Sequence, residues 1–334
     1  MRIALFYPRN TYASWYTLGG YKNQLERMEH EVLDCPVPGN TVDLNKVKMP
    51  TIEELNSCQC ILITFAEYMQ PWLEASYGAN WKRVKVPKVA RYDESFDRVD
   101  LASRMDWNKL QRWADFHFFP AIQDAERFDG YFLPFGADLS MFNTNKPEEK
   151  KYDLGFIGQL YSKRATYAEN LARYLGDTIF YGGPIIISDL SGVPALGYEE
   201  EQTRLLAKNY KQIKIFFCLP PLSNLLVAKV FEVMGCGTFI MFPCLTGVAS
   251  RNLKIFEDYK HLVYYNEGSY QANVENIKFW IEHDKEREKI AAEGAALVRE
   301  KYSLEKMLEH MLAPVTKHAQ LPNMGKRSEV VNEI

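Results

Sequence analysis

The chain opens on a short apolar run, Arg2 to Tyr7 (RIALFY), followed by a polar, aromatic stretch and then by apolar residues at helical spacing from about Gly20 to Glu29. This strand, loop and helix pattern recurs. His30 to Leu33, Cys60 to Phe65 (CILITF) and Val86 to Arg91 (VPKVAR) each predict a strand, separated by polar segments of helix length. Phe116 to Pro120 and Gly130 to Pro134 predict two last short strands, so the first part of the chain reads as a parallel sheet with helices between its strands.

Asn143 to Lys151 (NTNKPEEKK) has no large apolar residue and predicts a linker. Beyond it the alternation restarts. Tyr152–Ile157, Thr178–Tyr181, Ile213–Leu219, Thr238–Phe242 and Leu262–Tyr265 read as strands. Ala165–Leu175, Glu199–Tyr210 and Ala228–Met234 read as the helices among them. Tyr270–Asp284, Glu286–Lys301 and Ser303–Leu312 follow as further helices, and Leu321–Ile334, with little to bury, reads as a mobile tail. At 334 residues the chain exceeds the size at which single cores stop growing. The expectation is an α/β protein of two Rossmann-like domains, residues 1–142 and 143–312, with a tail over 313–334.

Composition narrows the function. A net charge of −3 gives no overall pull toward nucleic acid or anionic membrane, so any polyanion contact must be local. The longest apolar run, near Lys214–Leu222, is too short to span a bilayer, and the N-terminus lacks a signal peptide's apolar region, which implies a soluble, cytoplasmic protein. The six cysteines fall mostly within apolar runs and lack paired metal-binding spacing, so they read as reduced core residues.

In parallel α/β sheets, ligands bind at the carboxyl ends of strands, where glycine loops and helix N-termini offer N–H groups to phosphates. Three segments suit this. Gly19 and Gly20 (LGGYKNQLERMEHEV) open the first helix, either to approach a phosphate or as a plain helix start. In YDLGFIGQLYSKR a strand runs into Gly158, with Lys163 and Arg164 at the next helix start; these cations suit a diphosphate, or are solvated first-turn residues. In KVFEVMGCGTFIMF, Lys229 begins a helix and Glu232 sits amid apolar neighbours, where a carboxylate needs a partner; a ribose diol would serve, unless the glutamate is on the helix surface.

These segments, with LPFGAD (Leu133–Asp138) and the closing EKIAAEGAALVREKYSLEKMLEHM (Glu288–Met311), resemble group 1 glycosyltransferases, especially the spore-maturation glycosyltransferase-like subfamily. The resemblance covers most of residues 130–312 and the glycine opening. It implies a GT-B fold, two Rossmann-like domains facing across a cleft with the C-terminal helix packing back on the N-terminal domain. It further implies metal-independent transfer of a sugar from a nucleotide-sugar co-substrate, with no other cofactor. Glu232 would hold the donor ribose, Lys163 or Arg164 would neutralise the diphosphate, and Gly19 and Gly20 would approach it. The family's second glutamate is replaced here by Asn224, which hydrogen-bonds but carries no charge.

If the reaction inverts the anomeric centre, a general base belongs in the N-terminal half, and Asp93, Glu94 and His117 are the candidates by position; His117, within FHFF, also reads as a packed histidine. The acceptor would meet the N-terminal loops, where Tyr12 and Trp15 offer rings and Lys82 and Arg83 lie in a basic stretch, WKRVKVPKVAR. That stretch either tracks an anionic backbone while rings stack on bases, which makes a hydroxymethylated base in DNA one acceptor, or is a solvated strand flank. A nucleotide-sugar epimerase or a non-catalytic nucleotide-sugar binder would use the same scaffold. A nicotinamide oxidoreductase is disfavoured, since no G-x-G-x-x-G follows the first strand.

Overall fold

The computed structural model describes residues 1–9, 20–38, 49–96, 107–158, 160, 162–175, 185–189, 200–221 and 225–318. Its contacts divide the chain into two compact units, one built from residues 1–134 and the closing helix, the other from most of residues 135–303.

The first unit alternates strand and helix: β1 (Arg2–Arg9), α1 (Tyr21–Arg27), β2 (Glu31–Pro38), α2 (Ile52–Asn56), β3 (Cys60–Ile63), α3 (Ala66–Ser76), β4 (Lys88–Arg91), α4 (Trp107–Leu110), β5 (Phe116–Phe119), α5 (Ile122–Arg127) and β6 (Tyr131–Phe132). The six strands form one parallel sheet in the order β2-β1-β3-β4-β5-β6. Ile3, Ala4, Leu5 and Phe6 of β1 are fully buried, the mark of a strand covered on both faces, and this is why its sequence reads as continuous rather than alternating apolar. The core on one face is aromatic: Trp81 packs on Phe6, Tyr77 and Trp113 with ring centroids 5.2–6.2 Å apart. Thr51 and Glu54 form a capping box that starts α2.

The second unit repeats the scheme with β7 (Tyr152–Gly158), α6 (Ser162–Leu175), β8 (Ile185–Asp189), α7 (Glu200–Lys211), β9 (Ile213–Phe217), α8 (Ala228–Gly235), β10 (Phe239–Pro243), β11 (Val263–Tyr265), α9 (Tyr270–Glu282) and α10 (Asp284–Lys301). Its parallel sheet has the order β11-β10-β9-β7-β8. The expected strand over 178–181 and the expected tail over 321–334 lie outside the described residues. Among the described residues no helix is long and apolar enough to cross a membrane.

Two expected boundaries move. The polar segment 143–151 does not join the units, since the division falls between Pro134 and Phe135. Phe142 is fully buried within the second unit, its ring 6.1 Å from that of Tyr210, and the Ala137 N–H donates to the Tyr302 carbonyl at 2.8 Å. Lys150 Nζ donates to the Ile213 carbonyl and Lys211 Nζ to the Lys146 carbonyl, so 143–151 is a surface loop tied down by lysines. Its polarity reports exposure, while the buried Phe142 ahead of it reveals which core it serves. The last helix, α11 (Leu304–His318), belongs to the first unit and packs on α1, as the resemblance implies for the C-terminal helix, whereas the range 143–312 counts most of it with the second domain.

Candidate functional site

The second unit gathers charge where β7 and β9 end and α8 begins. Lys229, near the start of α8, donates from Nζ to the Ile157 carbonyl at 2.8 Å and sits 4.6 Å above the Phe156 ring. A side chain at Gly158 is impossible beside it in this position, because a Cβ there would lie 2.1 Å from Nζ. The glycine is therefore the space that the ammonium occupies at the strand end. Arg164, third residue of α6, is buried; its Nε donates to the Pro220 carbonyl at 3.0 Å and its guanidinium lies 5.2 Å from the centre of the same Phe156 ring.

Two cations lie over one aromatic ring in a desolvated setting. Burial, and then Arg164, lower the Lys229 pKa to about 8. Glu232, one helical turn beyond Lys229, is 5% exposed; burial raises its carboxyl to about 7, while Lys229 and a hydrogen bond from the Tyr210 hydroxyl pull it down. The buried Cys218 thiol at the end of β9 is pushed up by burial and pulled down by the same two cations. No side chain caps α8 at Val227, so its N-terminal dipole points positive charge toward the same end of the sheet. Arg164, Lys229 and the helix end together suit a multiply charged anion, and Glu232 beside them suits a hydroxyl donor such as a diol.

The remaining expected donor residues separate. Lys163 turns to the surface, 55% exposed, and pairs with Glu267 at 3.1 Å, so of the two offered cations only Arg164 joins the Gly158 cluster. The reason is the helical turn of about 100° between adjacent residues, which puts one side chain inward and its neighbour out. Gly20 precedes α1 in the first unit, with helical φ of −55° and no side-chain cap. Gly19 and Asn224 lie outside the described residues, as do Tyr12 and Trp15.

In the first unit the corresponding strand ends hold a different cluster. Asp93, just past β4, is buried; its Oδ2 accepts from the Phe65 N–H at 3.2 Å, and its own N–H donates to Glu67 Oε1 at 3.1 Å. Phe65 takes a left-handed φ of 51°, uncommon for a residue with a side chain, and this N–H bond helps hold it there. Arg91, fully buried, brings Nε to 3.4 Å from Asp93 Oδ1, donates to the Leu133 carbonyl and hydrogen-bonds the Tyr21 hydroxyl. Burial raises both carboxyls, Asp93 to about 6 against the pull of Arg91, and Glu67 well above the usual range with Asp93 adding to the rise. Glu94 is half-buried next to them.

His117 is a packed histidine. It is buried in the sheet, its Nδ1 2.9 Å from the Tyr92 hydroxyl and its ring 5.1 Å from Trp107, so a role as base in solvent contact is set aside. Lys82 and Arg83 belong to a 3₁₀ turn, Gly78–Arg83, that precedes β4; its Arg83 carbonyl accepts from Nδ2 of Asn56, the last residue of α2, at 3.0 Å, and the following Lys85 N–H donates to Asn56 Oδ1 at 2.7 Å. They are exposed at the amino edge of the sheet, the opposite end from Asp93, while Trp81 is core and Arg91 is buried. The basic stretch is a strand flank because the strand running through it separates its first cations from the strand end where ligands bind.

Tyr210, Glu67, Arg91 and Tyr21 were not singled out from sequence. A signal existed for two of them: Glu67 is an acid in the first turn after a strand, and Arg91 is a charge closing an apolar strand. Nothing local marks Tyr210 or Tyr21, whose partners are more than 20 residues away.

Residues 190–313 match the family model described as "Glycosyl transferase-like". No curated protein matches the chain in sequence. Among solved structures, an α-glucosyltransferase in complex with UDP and a 13-mer DNA superimposes with a TM-score of 0.68 at 14% identity, covering 95% of this chain and all of the other. Anabaena HepE in complex with UDP and glucose gives 0.62 at 11% identity over 95% and 100% of the two chains. Sucrose-phosphate synthase from Thermosynechococcus elongatus gives 0.61 at 12% over 96% and 98%. The chain has the two-domain α/β fold of GT-B glycosyltransferases, and the glycosyl transferase-like match falls mostly in its second unit.

Proposed function

We propose that the chain is a glycosyltransferase whose second unit binds a nucleotide-sugar, with UDP as the nucleotide. The observation that carries this is the cluster at Gly158: Lys229 and Arg164 over one aromatic ring, next to the buried Glu232 and an uncapped helix start. Lys229 and Arg164 neutralise the diphosphate, and Glu232 accepts from the ribose hydroxyls. As the bond from sugar to diphosphate breaks, charge grows on the departing phosphate oxygen, and fixed cations stabilise it without a metal ion. The UDP complexes of the structural neighbours support this choice of nucleotide. The glycine, cation and glutamate segments support the spore-maturation glycosyltransferase-like subgroup.

The acceptor we propose is a hydroxyl of a hydroxymethylated base in DNA, supported by the likeness to a glucosyltransferase held with DNA. Lys82 and Arg83 give this no support. For an inverting reaction Asp93 is the base the geometry favours, because it closes a strand and burial raises its affinity for a proton. The test is a thermal-shift series with UDP, GDP and ADP and their sugar conjugates, run beside Glu232→Ala. A rise in melting temperature with UDP that the variant loses supports the donor site, and transfer of labelled sugar from UDP-glucose to hydroxymethylated DNA supports the acceptor. No shift with any nucleotide overturns the reading. Turnover of the sugar-nucleotide with no acceptor glycosylated favours an epimerase instead.

A further inference from the structure

The residue that decides how Glu232 presents its carboxylate lies on a different helix. Tyr210 is at the end of α7, and its hydroxyl donates to Glu232. The rest of Tyr210 is fixed: it is 2% exposed, its ring stands edge-on to Phe216 at 5.4 Å and 6.1 Å from Phe142, and its carbonyl accepts from Thr238 Oγ1 at 2.8 Å. A tyrosine so anchored offers its hydroxyl in one place. Ring packing alone is equally served by phenylalanine, so the hydroxyl buried beside a buried carboxylate answers a demand of that carboxylate.

We infer that Tyr210 is a positioning residue for nucleoside recognition: its hydroxyl occupies one acceptor site of Glu232 and leaves the other carboxylate oxygen directed to a vicinal diol, which makes the site selective for ribonucleotides over deoxyribonucleotides. The inference rests on the nucleotide-sugar reading above. A site that hydrogen-bonds a hydroxyl through a preoriented buried acceptor rejects the analogue lacking it, because the acceptor is then left unpaired. Without Tyr210 the carboxylate can turn toward Lys229 or take up a proton. The groups that face it are Lys229 on its own helix, Cys236 just past that helix's end, Tyr210 on α7, and, through Lys229, Arg164 on α6 and Cys218 after β9. Its ionisation lies near neutrality, and the Tyr210 bond favours the ionised form that accepts from both diol hydroxyls.

The experiment is isothermal titration of the full chain with UDP and 2′-deoxy-UDP between pH 6 and 9, for the unaltered protein and Tyr210→Phe, with a melting curve of each. The expected result is about 10-fold weaker UDP binding by the variant, most of the preference over 2′-deoxy-UDP lost, and the alkaline-going rise in affinity displaced to higher pH. Because both proteins bind the same nucleotide, titration of its phosphate cancels in the comparison. In a Glu232→Gln background the Tyr210→Phe change should have no further effect. If Tyr210→Phe fails to melt cooperatively, Thr238→Val, which loosens the Tyr210 backbone without touching Glu232, should move affinity and selectivity in the same direction by a few-fold. UDP bound by the unaltered chain with the same affinity, selectivity and pH profile as by the variant overturns the role of Tyr210 and leaves the donor site standing. An unaltered chain that binds no UDP overturns both.

Discussion

The two units use the same parallel-sheet plan and put ionisable groups at the same kind of place, yet the groups do opposite things. At the strand ends of the first unit, Asp93 and Glu67 accept from backbone N–H groups and Arg91 lies against Asp93 and donates to a carbonyl, contacts that fasten the loops after β3 and β4. At the strand ends of the second unit, Lys229 and Arg164 rest on an aromatic ring and on carbonyls, with the carboxyl of Glu232 raised toward neutrality. A buried charge held by its neighbours is a structural device, while buried cations gathered beside an uncapped helix start are arranged for something that arrives. The contrast also ranks the two clusters as sites: the second is the better supported binding site, and the first is chiefly a brace.

The sharpest way to break this comparison is to remove one cation from each cluster. Arg91→Met leaves the buried carboxyls of the first unit without their cation and should cost about 3–5 kcal/mol of stability in urea unfolding. Lys229→Met should do the reverse: UDP affinity falls by about 10–100-fold, the loss of one or two charge-assisted hydrogen bonds, while the melting temperature does not fall, since the ammonium was buried at a cost. A large loss of stability in Lys229→Met with UDP binding intact would erase the distinction.

A smaller effect comes from pH. The Asp93 carboxyl is raised from 3.8 to about 6 in the folded chain, so the native state holds a proton that the unfolded chain has released. Its contribution to stability is therefore full below about pH 4 and is lost as the pH rises to about 6. The difference in unfolding free energy between the unaltered chain and Asp93→Asn should shrink over that interval, by at most a few kcal/mol, and be flat above it. A difference that grows with pH would mean that Arg91 holds Asp93 ionised throughout.

The smallest effect is expected at the amino edge of the first sheet. Lys82→Glu with Arg83→Glu should change stability by no more than about 0.5 kcal/mol and leave both UDP and DNA binding unchanged, as for exposed charges remote from a site. A marked loss of DNA binding would return the basic stretch to the acceptor surface.

Much of this was legible in the chain itself. The apolar runs marked which segments become strands, because the parts of a strand covered on both faces must be apolar, as Ile3–Phe6 of β1 and β10 are. Alternation with helices then fixed a parallel arrangement, and Gly158 followed by cations, with Glu232 in an apolar helix, marked the strand end where charge collects. Tertiary structure alone decided the rest, since each remaining point depends on partners far apart in sequence. It chose Arg164 over Lys163, because only the helix's rotation against β7 says which side chain turns inward. It made His117 a core residue by bringing Tyr92 and Trp107 against it. It assigned Phe142 to the second core, where the polar run suggested otherwise. It joined Tyr210 to Glu232 and Glu67 to Asp93, pairs more than 20 residues apart that no local spacing connects. Sequence pattern records whether a residue is buried; which side chain meets it there is settled by how the helices lie on the sheet.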